Sequence, residues 1–252
     1  MTDSGTIARV LAVIRLLSRS AGPLRVKAVA EALDLPMSTS HRYLDLLVEG
    51  GFVQKDKRHR YFVGAELLMT AKVIMERPSL ISTAPSFLDE VNSTTGEAAV
   101  FNVYCRRHKA VSYVALARCE PPPAWTLTPD RRQPLTWGAS GLAMLAFLPG
   151  RLQDNIIRLS EPCPTTGMVA DRHAIVDKLN DVRARGYAVS EEEAIEGAAG
   201  IAVPILRCGE VAGSMGLIIP MGRFERRRCE DYGKLLKDAA RRAVTVAGST
   251  LS

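Results

Sequence analysis

The sequence predicts an α+β chain in two domains, and three observations carry that prediction. Apolar residues recur at three- and four-residue spacing through the first fifty positions. A short strand–turn–strand pattern with a basic tip follows them. Beyond about residue 80, strand-like runs stand between helix-like ones, which suits a central antiparallel sheet with helices before and after it.

In the first domain, placed at residues 1–64, Ile7, Val10, Leu11, Ile14 and Leu17 mark the buried face of a first helix. Ala21-Gly22-Pro23 breaks it. A second helix runs from Val26 to Leu33, with Val29, Ala30 and Leu33 inward and Arg25, Lys27 and Glu31 outward. After Leu35-Pro36, Ser38 is the expected N-cap of a third helix that Gly50-Gly51 closes. Phe52-Val53 and Tyr61-Phe62-Val63 form a hairpin around QKDKRHR. Three helices and a basic hairpin make a winged helix-turn-helix, with the second and third helices crossing steeply.

Residues 65–80 form the expected linker. In AELLMTAKVIMER, Leu67, Leu68, Ala71, Val73, Ile74 and Met75 are apolar over more than one face, and Pro78 ends the helix. So wide an apolar surface suits packing against a second copy of itself.

The second domain spans residues 81–252. Phe87, Leu88 and Val91 lie on a helix ending near Thr95-Gly96. AAVFNVY, the turn RRHK and AVSYVALARC read as an antiparallel pair. PPP at 121–123 opens a long loop to Trp137, and WGASGLAMLAFLPG is a Gly-rich turn entering an apolar helix. Val176 and Leu179 to Arg185 form another helix, stopped by Gly186. IAVPILRCGEVAGSMGLIIP is a hairpin turning at Cys208-Gly209-Glu210. Leu235, Leu236, Ala239, Ala240, Ala243, Val244 and Ala247 stripe the last helix.

Composition bounds the function. Hydrophobic residues are 47% of 252, enough for a buried core. Apolar runs such as IAVPIL are too short to span a bilayer, so no membrane partner is expected. The N-terminus MTDSGTIARV lacks the charged and apolar regions of a secretory signal, which points to the cytoplasm. Five scattered cysteines without a C-x-x-C pair fit reduced thiols, so neither a disulfide framework nor a metal site is expected. The net charge is +6; residues 1–64 hold ten Lys/Arg against six Asp/Glu, so most of the excess lies in the first quarter.

These features assign roles on double-stranded DNA. The start of the third helix offers unpaired backbone N–H groups and a positive dipole end. Ser38, Thr39, His41, Arg42 and Tyr43 are the candidates for the major groove, while Leu44, Leu47 and Val48 pack inward. Lys55, Lys57, Arg58 and Arg60 on the hairpin reach the backbone or the minor groove, and Arg25 and Lys27 complete the basic set.

At this point the chain resembles the IclR family of bacterial transcriptional regulators along almost its whole length. LPMSTSHRYL, GGFV and YFVG are similar to that family's recognition helix and wing. GYAVSEEEAIEGAAGIAVPILR, residues 186–207, is similar to its signature region. Gly186, Ser190, Glu193, Ile201, Ala202 and Ile205 fit the signature; Gly200, Leu206 and Arg207 depart from it. The resemblance implies a GAF-like effector-binding domain, assembly as a homo-oligomer (dimer or dimer of dimers), and control of a catabolic or metabolic operon by a small molecule, with no cofactor. It places that molecule over the sheet, against Trp137-Gly138-Ala139-Ser140-Gly141, whose backbone N–H groups suit a carboxylate.

In members that sense small oxo-acids, an Asp, a Cys and two Ser line the pocket. The matching positions here are Ser190, Gly200, Gly216 and Ile218. Polar groups have become smaller or apolar, which favours an aromatic or other bulky carboxylate, or a derivative of one. Tyr113, Trp125 and Trp137 are candidates to stack on its ring; core or loop packing is the alternative use of both tryptophans.

No catalytic site is expected. GASGL misses the G-x-S-x-G elbow because Leu142 holds the last position. Cys105 and His108 share a basic turn without a third, orienting group. Ser190-Glu191-Glu192-Glu193 reads as solvated carboxylates, and phosphate-loop and dinucleotide fingerprints are absent. The alternatives to a regulator are a winged-helix protein-interaction module or an enzyme with a small-molecule pocket and no DNA role.

Overall fold

The computed structural model describes residues 5–77, 79–119 and 132–248. The chain divides into two compact units, Met1–Arg77 and Pro78–Ser252.

The first unit holds helices α1 (Thr6–Arg19), α2 (Val26–Leu33), α3 (Met37–Glu49) and α4 (Ala65–Glu76) with strands β1 (Leu24–Arg25), β2 (Val53–Lys55) and β3 (Arg60–Val63). The strands pair antiparallel in the order β1-β3-β2, so the hairpin is extended by two residues, Leu24 and Arg25, absent from the expected elements. Val13, Leu17, Val29, Tyr43, Leu44, Leu47, Val53 and Tyr61 form the core. The inward stripe of α1 runs through Val10, Val13, Ile14 and Leu17, whereas Ile7 and Leu11 are 77% and 46% exposed. That corrects the expected face: Ile7 and Leu11 fall on its flank once Val13 defines the centre.

Two left-handed residues shape the unit. Asp34 (φ 50°) ends α2, and Leu35 N–H reaches back to the Ala30 carbonyl at 3.0 Å, turning the chain sharply into α3. Gly51 (φ 73°) turns α3 into β2. Gly64 is required for another reason: a Cβ there would strike the Gly51 carbonyl. That close approach lets Glu66 N–H bond Gly51 O at 3.2 Å and docks the start of α4 on the wing. Beyond this anchor α4 buries none of its residues; Leu68, Met69, Val73, Ile74 and Met75 are all exposed. Pro78, expected to end the helix, lies outside the described residues.

The second unit is built on an antiparallel six-stranded sheet, ordered β6-β5-β4-β9-β8-β7. Its strands are β4 (Ala98–Cys105), β5 (Ala110–Ala117), β6 (Gln133–Pro134), β7 (Ala188–Glu191), β8 (Ala198–Arg207) and β9 (Glu210–Pro220). Helices α5 (Leu80–Thr95) and α9 (Cys229–Gly248) cover one face over Phe101, Ile201, Met215 and Leu217. Helices α6 (Ala139–Leu145), α7 (Gly150–Arg158) and α8 (Arg172–Arg185) contribute to the core against the other. The alternation along β9 shows why both faces are covered: Met215, Leu217 and Ile219 point to α5 and α9, and the residues between them point away. Cys208 and Gly209, both left-handed, form the two-residue turn of the β8–β9 hairpin. Helix α7 and the short strands β6 and β7 were not among the expected elements.

Candidate DNA-reading face and effector pocket

On α3 the inward stripe is Ser40, Tyr43, Leu44 and Leu47, an i, i+3, i+4, i+7 set. Two expectations change as a result. Tyr43 is 2% exposed and belongs to the core, not to the groove-facing surface. Burial would raise the pKa of its phenol, but hydrogen bonds with Thr6, Arg42 and Arg9 outweigh it and hold the value below the usual one. Ser38 does not cap the helix: the N-cap is Pro36, and the first bond inside the helix runs from Ser40 N–H to Pro36 O at 2.9 Å. A proline there presets its own φ for helix entry and leaves Ser38 and Thr39 in the first turn.

The outward face of α3 carries Ser38, His41, Arg42 and Asp45, all exposed, with Thr39 half-buried beside them. His41 Nδ1 lies 2.7 Å from Asp45 Oδ2. Arg42 extends over the Tyr43 ring, 5.4 Å from its centroid.

The tip of the hairpin is organised by Asp56. Its carboxylate accepts the backbone N–H groups of Arg58 (2.8 Å) and Arg60 (2.9 Å) and the Arg60 guanidinium (2.7 Å). The Arg60 backbone bond above all holds the Asp56 carboxyl below its usual range, against the opposing effect of burial. Arg60, expected to contact DNA, has a half-buried side chain tied to Asp56. Lys55, Lys57 and Arg58 remain exposed, with Lys55 also 5.3 Å from the Tyr61 ring centroid. Arg25 is exposed on β1 opposite Arg60, and Lys27 is exposed 3.8 Å from Glu31.

In the second unit, a pocket lies on the α6 face of the sheet. Its lining brings together Tyr113 on β5, Gly138, Ala139 and Ser140 at the start of α6, Ser190 on β7, Gly200 on β8 and Ile218 on β9, all predicted. Sequence reasoning missed Val100 and Asn102 on β4, Val111, Gln133, and Ala194 and Ile195 on the turn after β7. The signal for Asn102 was available: it is the polar residue in the apolar run AAVFNVY.

Other predicted positions lie elsewhere. Trp137 is 8% exposed and donates its indole N–H to Glu161 O at 2.8 Å, so it packs outside the lining. Ala202 and Gly216 are register partners in the sheet, where a Cβ on Gly216 would meet Ile201 O and Ala202 Cβ. Their places are filled by each other's strand. Glu193 does not line the pocket either, but acts behind it. Trp125 lies outside the described residues.

The Gly138–Ala139 turn is already satisfied. Gly138 N–H donates to Glu193 Oε2 at 3.0 Å, and Ala139 N–H donates to Ser190 Oγ at 2.8 Å. The other Glu193 oxygen pairs with Lys178. Two of the backbone donors expected to receive a carboxylate, those of Gly138 and Ala139, are thus taken by the chain's own side chains, which corrects the expectation for them. Gly200 permits this arrangement, since a Cβ on it would stand 3.2 Å from both Ala139 Cβ and Ser190 Oγ.

A winged helix-turn-helix joined in one chain to a sheet domain that holds a pocket is the arrangement of a one-component transcriptional regulator. Two family models match: the IclR helix-turn-helix domain over residues 6–57 and the bacterial transcriptional regulator IclR C-terminal domain over residues 72–245. The chain belongs to the IclR family. It is 29% identical to the transcriptional regulator BhcR of Paracoccus denitrificans over 245 residues, covering 95% of this chain and 87% of that one. It is 26% identical to the transcriptional repressor AllR of Klebsiella pneumoniae, covering 95% and 89%. Among solved structures, the IclR regulator of Alicyclobacillus acidocaldarius aligns with a TM-score of 0.82 at 24% identity, over 96% of this chain and 98% of that one. An IclR homologue of Microbacterium hydrocarbonoxydans, in complex with 4-hydroxybenzoate, aligns at 0.81 and 23%, over 97% and 100%. BhcR and AllR are HTH-type regulators of transcription, and the C-terminal family model is that of bacterial transcriptional regulators. Among the described residues, no helix is long and apolar enough to cross a membrane.

Proposed function

We propose that this regulator reads operator DNA with the outward face of α3 and is controlled by a bulky, partly apolar effector in the α6 pocket. Ser38, Thr39, His41 and Arg42 contact base edges and adjacent phosphates; Arg25, Lys27, Lys55 and Arg58 hold the DNA backbone. The observation that carries this reading is the division of α3 into a buried stripe and an exposed one bearing hydrogen-bonding side chains, beside a wing whose cations are exposed.

The effector is an aromatic or similarly bulky acid or a derivative of one. Val100, Val111, Ile195 and Ile218 give the pocket apolar walls, and Tyr113 offers a ring at one side. The Microbacterium homologue, whose complex holds 4-hydroxybenzoate, supports an aromatic ligand for the fold. The protein works in the cytoplasm as a dimer or dimer of dimers, with the apolar surface of α4 taking a second copy.

Fluorescence anisotropy with the DNA upstream of the chain's own gene, across a salt series, tests the first part. Expected is binding that weakens steeply with salt. Binding that is absent or indifferent to salt would favour a protein-interaction role. Calorimetry with aromatic acids and their amides, against glyoxylate and pyruvate, tests the second. Tighter binding of the small oxo-acids overturns it, as does an operator affinity that saturating ligand leaves unchanged.

A further inference from the structure

The polar end of the effector is set by what the pocket has left to offer. Asn102 is the register partner of both Tyr113 on β5 and Ser214 on β9, so these three side chains stand in a row across neighbouring strands on one face. Asn102 Nδ2 donates to Ser140 Oγ at 3.1 Å, which leaves the Ser140 hydroxyl proton and the Asn102 carbonyl to serve a ligand. Among the described residues the Tyr113 hydroxyl is buried without a hydrogen-bond partner, and so is that of Ser214 beside it. Buried hydroxyls are ordinarily satisfied, so an orphan on a pocket wall marks a place where a ligand atom completes the bond. Burial pushes the Tyr113 pKa up to about 12 against the opposing charge of Arg118, and the group therefore stays an uncharged donor and acceptor.

Charge is arranged against an acid. Among the described lining residues none is charged; the polar ones are Asn102, Tyr113, Gln133, Ser140 and Ser190. The anion-binding donors at Gly138 and Ala139 are held by Glu193 and Ser190, and the Glu193 carboxylate is itself balanced by Lys178. A carboxylate entering this pocket would lose its hydration and find no counter-charge on those walls.

The geometry points to an uncharged effector: a bulky, partly apolar molecule whose polar end is a neutral hydrogen-bonding group, such as an amide, ester, ketone or phenol, bound by Tyr113 and Ser140. Glu193 is the carboxylate of the site, supplied by the chain itself. This rests on the pocket reading above and selects the derivative over the free acid.

Calorimetry of the full chain with matched pairs tests it: 4-hydroxybenzamide against 4-hydroxybenzoate, and phenylacetamide against phenylacetate, at neutral pH. Expected is at least about tenfold tighter binding of the amide in a pair, lost by about tenfold in Tyr113→Phe, which keeps the ring and removes the hydroxyl. Glu193→Ala, which bares the Gly138 amide, is expected to raise the affinity for the acid. Acids binding as tightly as their amides, with Tyr113→Phe still weakening both, overturns the neutral ligand and leaves the pocket reading standing. Failure of all four compounds to bind overturns both.

Discussion

His41 Nδ1 and Asp45 Oδ2 sit 2.7 Å apart, one helical turn from each other on the exposed face of α3. The contact holds the imidazole through Nδ1, so the ring meets a partner with less orientational entropy to lose. His41→Ala is therefore expected to weaken operator binding by about 1–3 kcal/mol, the range of a base contact. Asp45→Ala frees the ring without removing it and should cost less. Anisotropy titrations of both variants decide this, and unchanged affinity for His41→Ala removes the ring from the interface.

Tyr43 distinguishes a core residue from a reading one. Tyr43→Ala opens a cavity between α1, α3 and the wing and is expected to cost about 3–5 kcal/mol of stability. Urea unfolding followed by circular dichroism measures it. A variant that keeps its stability while losing DNA would return the tyrosine to the groove.

Arg58 and Arg60 should separate in a salt titration. Arg58→Ala removes one exposed cation and is expected to lower the slope of log affinity against log salt by about one, through its phosphate contact. Arg60→Ala is expected instead to loosen the hairpin tip, seen as faster exchange of the Arg58 amide by NMR. Equal slopes and equal exchange in both variants would contradict the division of labour between them.

The wing should also loosen in acid. The Asp56 carboxyl is depressed in the folded chain, chiefly by the Arg60 backbone N–H. Its stabilising contribution is therefore fully present above the ordinary carboxylate value and is lost as pH falls through the depressed one. The protection factors of the Arg58 and Arg60 amides, exchange rates corrected for the intrinsic pH dependence, are expected to fall over that acidic window in the parent chain. Asp56→Ala should show low protection throughout, with little further change with pH; a parent-like profile in the variant would exclude Asp56 as the brace.

Local rules made much of the first unit legible. Helical spacing located α2 and the inward Leu44 and Leu47, and strand-forming pairs around a polar turn located the hairpin. They failed where a neighbour sets the outcome. Ser38 looks like a cap in one dimension, but the turn at Asp34 delivers Pro36 to that position. Tyr43 looks like a reading residue until α1 is laid across it. The basic residues of the hairpin are alike in sequence, and only the fold of the tip sets Arg60 against Asp56. In the second unit α7 was missed because GRLQDNIIR is short, and its apolar face is evident only against the core it covers.

What the sequence by itself determined is the plan: two domains of stated kinds, the reading helix, the wing, and the family to which they belong. Periodicity, turn chemistry and motif spacing act over a few residues, and those are written in order along the chain. The tertiary structure decided the state of each functional group. It alone sets Glu193 on the Gly138 amide, fifty-five positions away, and stands Tyr113, Asn102 and Ser214 in one row across three strands. Those relations are made by strand register and by helix packing, which bring distant residues within a hydrogen bond of each other. Whether a donor is open to a ligand or already taken is a property of that packing.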